Sequence, residues 1–317
     1  MDIFTEVQKA RDRIAPYIIQ TPLEYSPWLS QETGAEVYLK LEMLQTTGSF
    51  KLRGAANKLL TLSPEEREKG VVTASTGNHG AAVAHIADQI GIKTTIYLPE
   101  NASVTKIAQL ELHEVDLVRF GDDSVVSEEK AKEVATKEGC IFVSPYNDEA
   151  VMSGQGTLAP EILEQLPEVN HILVPVGGGG LIGGIAGYLQ NQALEVEVVG
   201  CQPKNSAVMY ESVKAGRVLD LPSSPTLSDG TAGGVEADSI TFGVCQEAVS
   251  HWTLVTEEEI KAGLTFLLEK HYLIAEGAAA LSIAALRKEA ERYRGKHVVL
   301  ILCGRKLSLE HLKELFG

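Results

Sequence analysis

Seven short runs rich in β-branched and apolar residues lie at 71–74, 94–98, 115–120, 141–143, 172–176, 196–200 and 298–302. The stretches between them carry helical apolar spacing, as at Ala82, Val83, Ile86 and Ile90. Near-continuous apolar strands that alternate with helices must be covered on both faces. Parallel sheets in an α/β architecture are therefore the expectation. Four of the runs fall within 63–147, enough for a small domain with its own sheet. The others fall outside it, so 1–62 and 148–317 are expected to build a large domain around a second sheet, with a cleft between the two.

Composition removes several classes of function. The 317 residues include 28 basic and 43 acidic ones, a net charge of −15. A field of that sign repels nucleic acid and anionic lipid, and no basic cluster interrupts it. The four cysteines, Cys140, Cys201, Cys245 and Cys303, are scattered without a CxxC pair. Neither a zinc site nor a disulfide framework is supported. No run approaches the ~18 apolar residues of a membrane span, and the N-terminal segment lacks the apolar core of a signal peptide. A globular protein of the cytoplasm with no resident metal is expected.

Four motifs carry chemistry. In Thr47-Gly48-Ser49-Phe50-Lys51-Leu52-Arg53-Gly54, the apolar neighbours of Lys51 can desolvate its ammonium. Desolvation lowers a lysine pKa and frees the amine for Schiff-base chemistry. The alternative is a surface lysine at the head of a helix over 52–60. Ser75-Thr76-Gly77-Asn78-His79-Gly80 follows a strand and opens a helix. Its free N–H groups, with the hydroxyls of Ser75 and Thr76 and the Asn78 amide, suit a carboxylate. The alternative is an N-cap followed by a glycine turn. Gly177, Gly178, Gly179 and Gly180, followed by Leu181, lie between the strongest strand and a helix. So costly a run of glycines is best compensated by N–H groups that cradle one phosphate. No Gly-Lys-Ser/Thr follows, and no matching ribose-side acidic residue, so it is neither a Walker loop nor a dinucleotide fingerprint. Cys303 ends the last strand, where inert packing is the alternative.

A phosphate cradle, an imine-forming amine, an amide and a small polar group at a strand end together suit pyridoxal 5′-phosphate. With these motifs in this order the chain resembles the fold-type II pyridoxal-phosphate enzymes of the threonine/serine dehydratase and serine racemase group. The run from Gly154 to Thr157 (GQGT) is a further shared element. The resemblance implies a two-domain fold like that of the tryptophan synthase β chain, with the cofactor in the cleft. It implies that Lys51 holds the cofactor as a Schiff base, that Asn78 bonds the ring 3′-hydroxyl, and that Gly177 to Leu181 bind the phosphate. It also implies that Cys303 faces the pyridine nitrogen and that Glu276 lies near the ring. Ser75, Thr76, Gly77, Asn78 and His79 would take the substrate, with Lys51 and Thr76 as the acid–base groups.

Some positions depart from that pattern. Racemases of this group carry Ser where this chain has Thr76. Their divalent-cation site aligns with Gln202, Ser206 and Val208, which supply no carboxylate, so no metal is expected there. The usual Gly-Gly-Asn after the ring-nitrogen residue reads Gly304-Arg305-Lys306, which places positive charge near the cleft. The segment from Asp229 to Gly234 lies where the family closes its pocket. The implied activity is dehydration and deamination of a β-hydroxy amino acid, L-threonine or L-serine, to a 2-oxo acid and ammonia by a homodimer. The alternatives are a serine racemase, a dehydratase of the hydroxyectoine-utilisation or hydroxyaspartate type, and a silent amino-acid-binding relative.

Overall fold

Residues 71–142 build one sheet, and the chain on either side of them builds another. In this computed structural model, which describes residues 2–190 and 192–316, the strands are β1 (Leu23–Tyr25), β2 (Glu36–Lys40), β3 (Val71–Ala74), β4 (Thr94–Leu98), β5 (Asp116–Arg119), β6 (Ile141–Phe142), β7 (His171–Pro175), β8 (Glu197–Pro203), β9 (His251–Val255) and β10 (His297–Ile301). The four-stranded sheet has the order β5-β4-β3-β6 and is wholly parallel. The six-stranded sheet has the order β1-β2-β10-β7-β8-β9, with β1 antiparallel to β2 and the other pairs parallel. The α/β expectation holds, and helices cover both sheets. None of the described helices is long and apolar enough to cross a membrane.

All seven expected strands are present, and β1, β2 and β9 are additional. β1 and β9 lie at the sheet edges and are only partly buried, so neither needs a continuous apolar run. β2 is internal, with Val37 and Leu39 in the core, but it ends in Lys40, a charged residue that is fully buried.

That lysine belongs to an ionic cluster. Arg53 donates through Nε and Nη2 to the two carboxylate oxygens of Glu42, at 2.8 and 2.7 Å, and its Nη1 reaches Glu161 at 2.9 Å. Lys40 pairs with Glu161 and donates to the Thr21 carbonyl at 2.7 Å, while Thr21 Oγ1 donates to Glu42 at 2.6 Å. Each charge finds an opposite partner and further hydrogen bonds, which buried charges require. Two residues before Arg53 stands Lys51, so the cluster fixes the start of the helix Lys51–Thr61.

This helix joins both halves of the molecule. Leu52, Ala55, Ala56 and Leu59 pack with Val71, Ala82, Val83 and Ile86 of the small sheet and its helix Asn78–Ile90. On its other side it crosses the helix Glu149–Gly156. A Cβ at Gly54 would stand 2.8 Å from the Val151 carbonyl, and one at Gly154 would stand 2.6 Å from that of Arg53. Gly54 N–H donates to Gln155 Oε1 across the crossing. The GQGT element is therefore a close helix contact that seats the Lys51 helix.

Candidate active site

The motif segments extend from the carboxyl ends of parallel strands. The Ser75–Gly80 turn follows β3, the glycine loop follows β7, and Cys303 follows β10. In open α/β sheets such ends are where ligands bind.

Lys51 is the first residue of its helix, and the segment before it is stitched to the end of β10. Phe50 N–H donates to the Cys303 carbonyl at 3.0 Å, Arg305 N–H donates to that of Gly48 at 3.1 Å, and Ser49 bridges Gly304. Lys51 Nζ donates to the carbonyl oxygen of Pro145 at 2.7 Å, just past β6. Burial pushes this amine down to about 8, against the pull of Cys303 and Glu276. The desolvated lysine expected from its neighbours is the arrangement found, and the surface lysine is not.

Asn78 opens the helix Asn78–Ile90, and its Nδ2 donates to the Glu276 carboxylate at 2.9 and 3.2 Å. Its Oδ1 is buried and has no partner among the described residues. Glu276 is almost wholly buried, and that burial raises its pKa. Cys303 Sγ lies 3.6 Å from Glu276 Oε1, and burial holds the thiol well above its ordinary value, so it stays neutral. Lys51, Asn78, Glu276 and Cys303 thus converge from four separate stretches of chain.

The turn around Thr76 is arranged differently from the expectation in one respect. Ser75 Oγ accepts from Gly77 N–H at 3.1 Å and so shapes the turn. Thr76 is half-buried beside it. The His79 ring, however, points inward: Nε2 bonds the Val143 carbonyl at 2.9 Å and the side chain is buried. Burial, with the nearby Lys51 charge, pushes the imidazole down to about 3. Its backbone N–H is one of the first-turn donors that the helix itself leaves unpaired.

In the glycine loop, Gly179 has φ +86°, a conformation that side chains rarely adopt. A Cβ on Gly178 would stand 2.5 Å from the ring of Tyr146, the neighbour of Pro145. Thr241 Oγ1 donates to the Gly178 carbonyl at 2.6 Å. Tyr146 thereby links the loop to the Lys51 acceptor. Sequence reasoning missed Pro145 and Tyr146, whose only signal is their place directly after the last small-sheet strand. Thr231, in the Asp229–Thr231 turn, closes on Gly177, with its Cα 3.1 Å from where a Cβ would stand.

These residues fit pyridoxal phosphate. A desolvated amine, an orphaned buried acceptor at Asn78 and a neutral strand-end thiol meet beside a glycine loop that leads into a helix. The family model "Pyridoxal-phosphate dependent enzyme" matches residues 14–304. The chain belongs to the pyridoxal-phosphate dependent enzyme family. L-threonine ammonia-lyase of Thermotoga maritima is 39% identical to it, over 98% of this chain and 77% of that one. The processed form of threonine deaminase isoform 2 from Solanum lycopersicum superposes with a TM-score of 0.94 at 31% identity, covering 99% of this chain and 86% of the other. Maize serine racemase gives 0.92 at 30% identity, covering 98% and 95%.

The positions that depart from the group's pattern have their own structural roles. Gln202 Nε2 donates to the Val176 carbonyl at 3.2 Å, and its Oε1 accepts from Tyr210 N–H at 2.8 Å. Ser206 Oγ pairs with Ser223 and accepts from Gly233 N–H, and Val208 starts the helix Val208–Ala215. Among the described residues no group of three or more His, Cys, Asp or Glu could hold a metal ion. Arg305 is exposed and lies along Gly48, whereas Lys306 is partly buried. Of the two cations, Lys306 is the less exposed.

Proposed function

We propose that this pyridoxal-phosphate dependent enzyme is an ammonia-lyase that converts L-threonine, or L-serine, to the 2-oxo acid and ammonia in the cytoplasm. The likeness to threonine ammonia-lyase over almost the whole chain supports the reaction class. The observation that carries the site assignment is the amine of Lys51, held on the Pro145 carbonyl and desolvated to about 8, with the contacts that join Asn78 and Cys303 to Glu276. We assign Lys51 as the attachment point and Gly177 to Leu181 as the phosphate cradle. Asn78 Oδ1 would accept from the ring hydroxyl and Cys303 would face the ring nitrogen. Glu276 orients Asn78 by taking both of its Nδ2 contacts. Residues 63–147 would form the small domain and the rest of the chain the large one.

When bound, the cofactor supplies an electron sink for the pair left at Cα as the α-proton departs. The protein supplies the rest. The N–H groups at the start of the Asn78 helix, with the Thr76 hydroxyl, hold the substrate carboxylate. The Lys51 amine takes the α-proton. At pH 7 an amine of pKa about 8 is neutral in about a tenth of molecules, against a few in ten thousand for an ordinary lysine. A neutral Cys303 would keep its own proton and leave the ring nitrogen unprotonated, which would limit the sink and favour elimination over transamination. Formation of 2-oxobutanoate from L-threonine tests the proposal. Lys51→Ala should lower turnover at least a thousandfold while leaving circular dichroism and melting temperature near wild type; full activity in that variant refutes it.

A further inference from the structure

Asn147 uses both ends of its side chain on one distant stretch of chain. Its Nδ2 donates to Glu236 Oε2 at 3.0 Å, and its Oδ1 accepts from the Ile240 N–H at 2.9 Å. The residue before it reaches the same stretch: Tyr146 Oη accepts from the Glu236 N–H at 2.9 Å. These bonds clasp Tyr146 and Asn147, which follow β6 of the small sheet, to a segment between β8 and β9 of the large one. Lys132, on the helix Ser124–Glu138 that precedes β6, adds its charge 3.5 Å from Glu236 Oε1. Both members of that ion pair are partly exposed, so it contributes little by itself.

The clasp closes a circuit of contacts through the glycine loop. From Ile240 the chain enters the helix Ile240–Ala248, whose buried Thr241 donates to the Gly178 carbonyl at 2.6 Å. Tyr146 walls the same loop: its ring stands 2.5 Å from where a Gly178 Cβ would be, and its own Cβ 3.0 Å from that of Gly180. Pro145, whose carbonyl takes the Lys51 amine, is the neighbour of Tyr146 in the chain. Ser144 Oγ accepts from the Asn147 N–H at 2.9 Å and sets the turn in which Pro145 and Tyr146 stand. A shift of this turn would move the Lys51 acceptor and the wall of the glycine loop together.

We propose that Asn147, with Tyr146, is a positioning residue: by clasping residues 236–240 it holds the glycine loop in register with the acceptor of the Lys51 amine. One set of contacts then governs both the grip on the cofactor phosphate and the placing of the amine. This rests on the assignment of Lys51 and the glycine loop given above, and adds two residues that act through them.

The chemistry of the clasp makes a reciprocal test possible. Asn147→Asp keeps an acceptor for the Ile240 N–H but sets a carboxylate against that of Glu236. Adding Glu236→Gln restores one donor and one acceptor with their roles exchanged. The dissociation constant for pyridoxal phosphate is read from the absorbance of holoenzyme equilibrated at falling cofactor concentrations. It should rise about tenfold in Asn147→Asp and return to within about threefold of wild type in the double variant. The acid limb of the kcat profile should move to higher pH in the single variant, because a loosened acceptor lets water reach the amine, and move back in the double one. A residue that merely supported the fold would lower the melting temperature and leave that limb in place. Should Asn147→Asp not fold, Tyr146→Phe, which removes only a hydroxyl, carries the test with about a threefold loss of cofactor affinity and the same direction of limb shift. Unchanged affinity and an unmoved limb in folded Asn147→Asp, or a double variant no better than the single one, would overturn the proposal and leave the Lys51 assignment standing. A bound-cofactor spectrum unaltered by Lys51→Ala would sink that assignment and the proposal with it.

Discussion

The amine of Lys51 and the carbonyl oxygen of Pro145 are 2.7 Å apart, although 94 residues separate them in the chain. This contact ties the head of the Lys51 helix to the segment that leaves the small sheet. It also holds the amine where burial lowers its pKa to about 8. Deamination should therefore gain rate as the pH rises through about 8, because only the unprotonated amine can accept the α-proton. A kcat profile from pH 6 to 9.5 with a flat acid limb would contradict this assignment.

His79 makes stability depend on acid. Its folded pKa of about 3 lies below the ordinary 6.5, so between these values the unfolded chain binds more protons than the folded one. The neutral ring's contribution is complete above pH 6.5 and is lost as the pH falls toward 3, by at most roughly 4–5 kcal/mol. Urea unfolding should show that loss in the wild type and a shallower one in His79→Gln.

Arg53 and Glu42 are both fully buried, so removing one strands the other. Arg53→Met and Glu42→Leu should each cost about 3–5 kcal/mol. The double variant, with Glu161 still paired to Lys40, should cost less than the sum of the two. Thermal unfolding of all three variants measures the coupling, and strict additivity would count against the cluster acting as a unit.

Gln202 bonds a carbonyl with its nitrogen and an N–H with its oxygen. A carboxylate can do only the second, so Gln202→Glu should destabilise by about 1–3 kcal/mol. Millimolar magnesium should leave the wild-type melting temperature unchanged. A rise of several degrees that disappears in Gln202→Ala would show that a cation does bind there.

Thr76 bears on racemisation, which needs a hydroxyl on the face of Cα opposite Lys51. Its methyl restricts the rotamer, and the turn is already shaped by Ser75. Serine should yield pyruvate much faster than D-serine, and Thr76→Ser should raise the D-serine fraction several-fold. Chiral chromatography of the reaction reads both, and equal rates in the wild type would refute the ranking.

The sequence by itself determined the α/β class, the seven strands with apolar runs, and the residue types at Lys51, Asn78 and Gly177 to Gly180. Strand periodicity and glycine runs are local properties, legible without neighbours. It also supplied Glu276 and Cys303, though only through resemblance, because no local pattern ties them to a lysine more than two hundred residues away. The tertiary structure alone decided which polar groups face inward. No local pattern pairs Lys40, Arg53, Glu42 and Glu161, and the charged Glu36 and Lys40 at its ends keep β2 from standing out as an apolar run. The inward turn of the His79 ring to the Val143 carbonyl, and the partial burial of Lys306 beside an exposed Arg305, are likewise set by packing. The physical reason is the same in each case: the free energy of a charge or a polar group is set by partners brought near in space, and adjacency in sequence does not specify them.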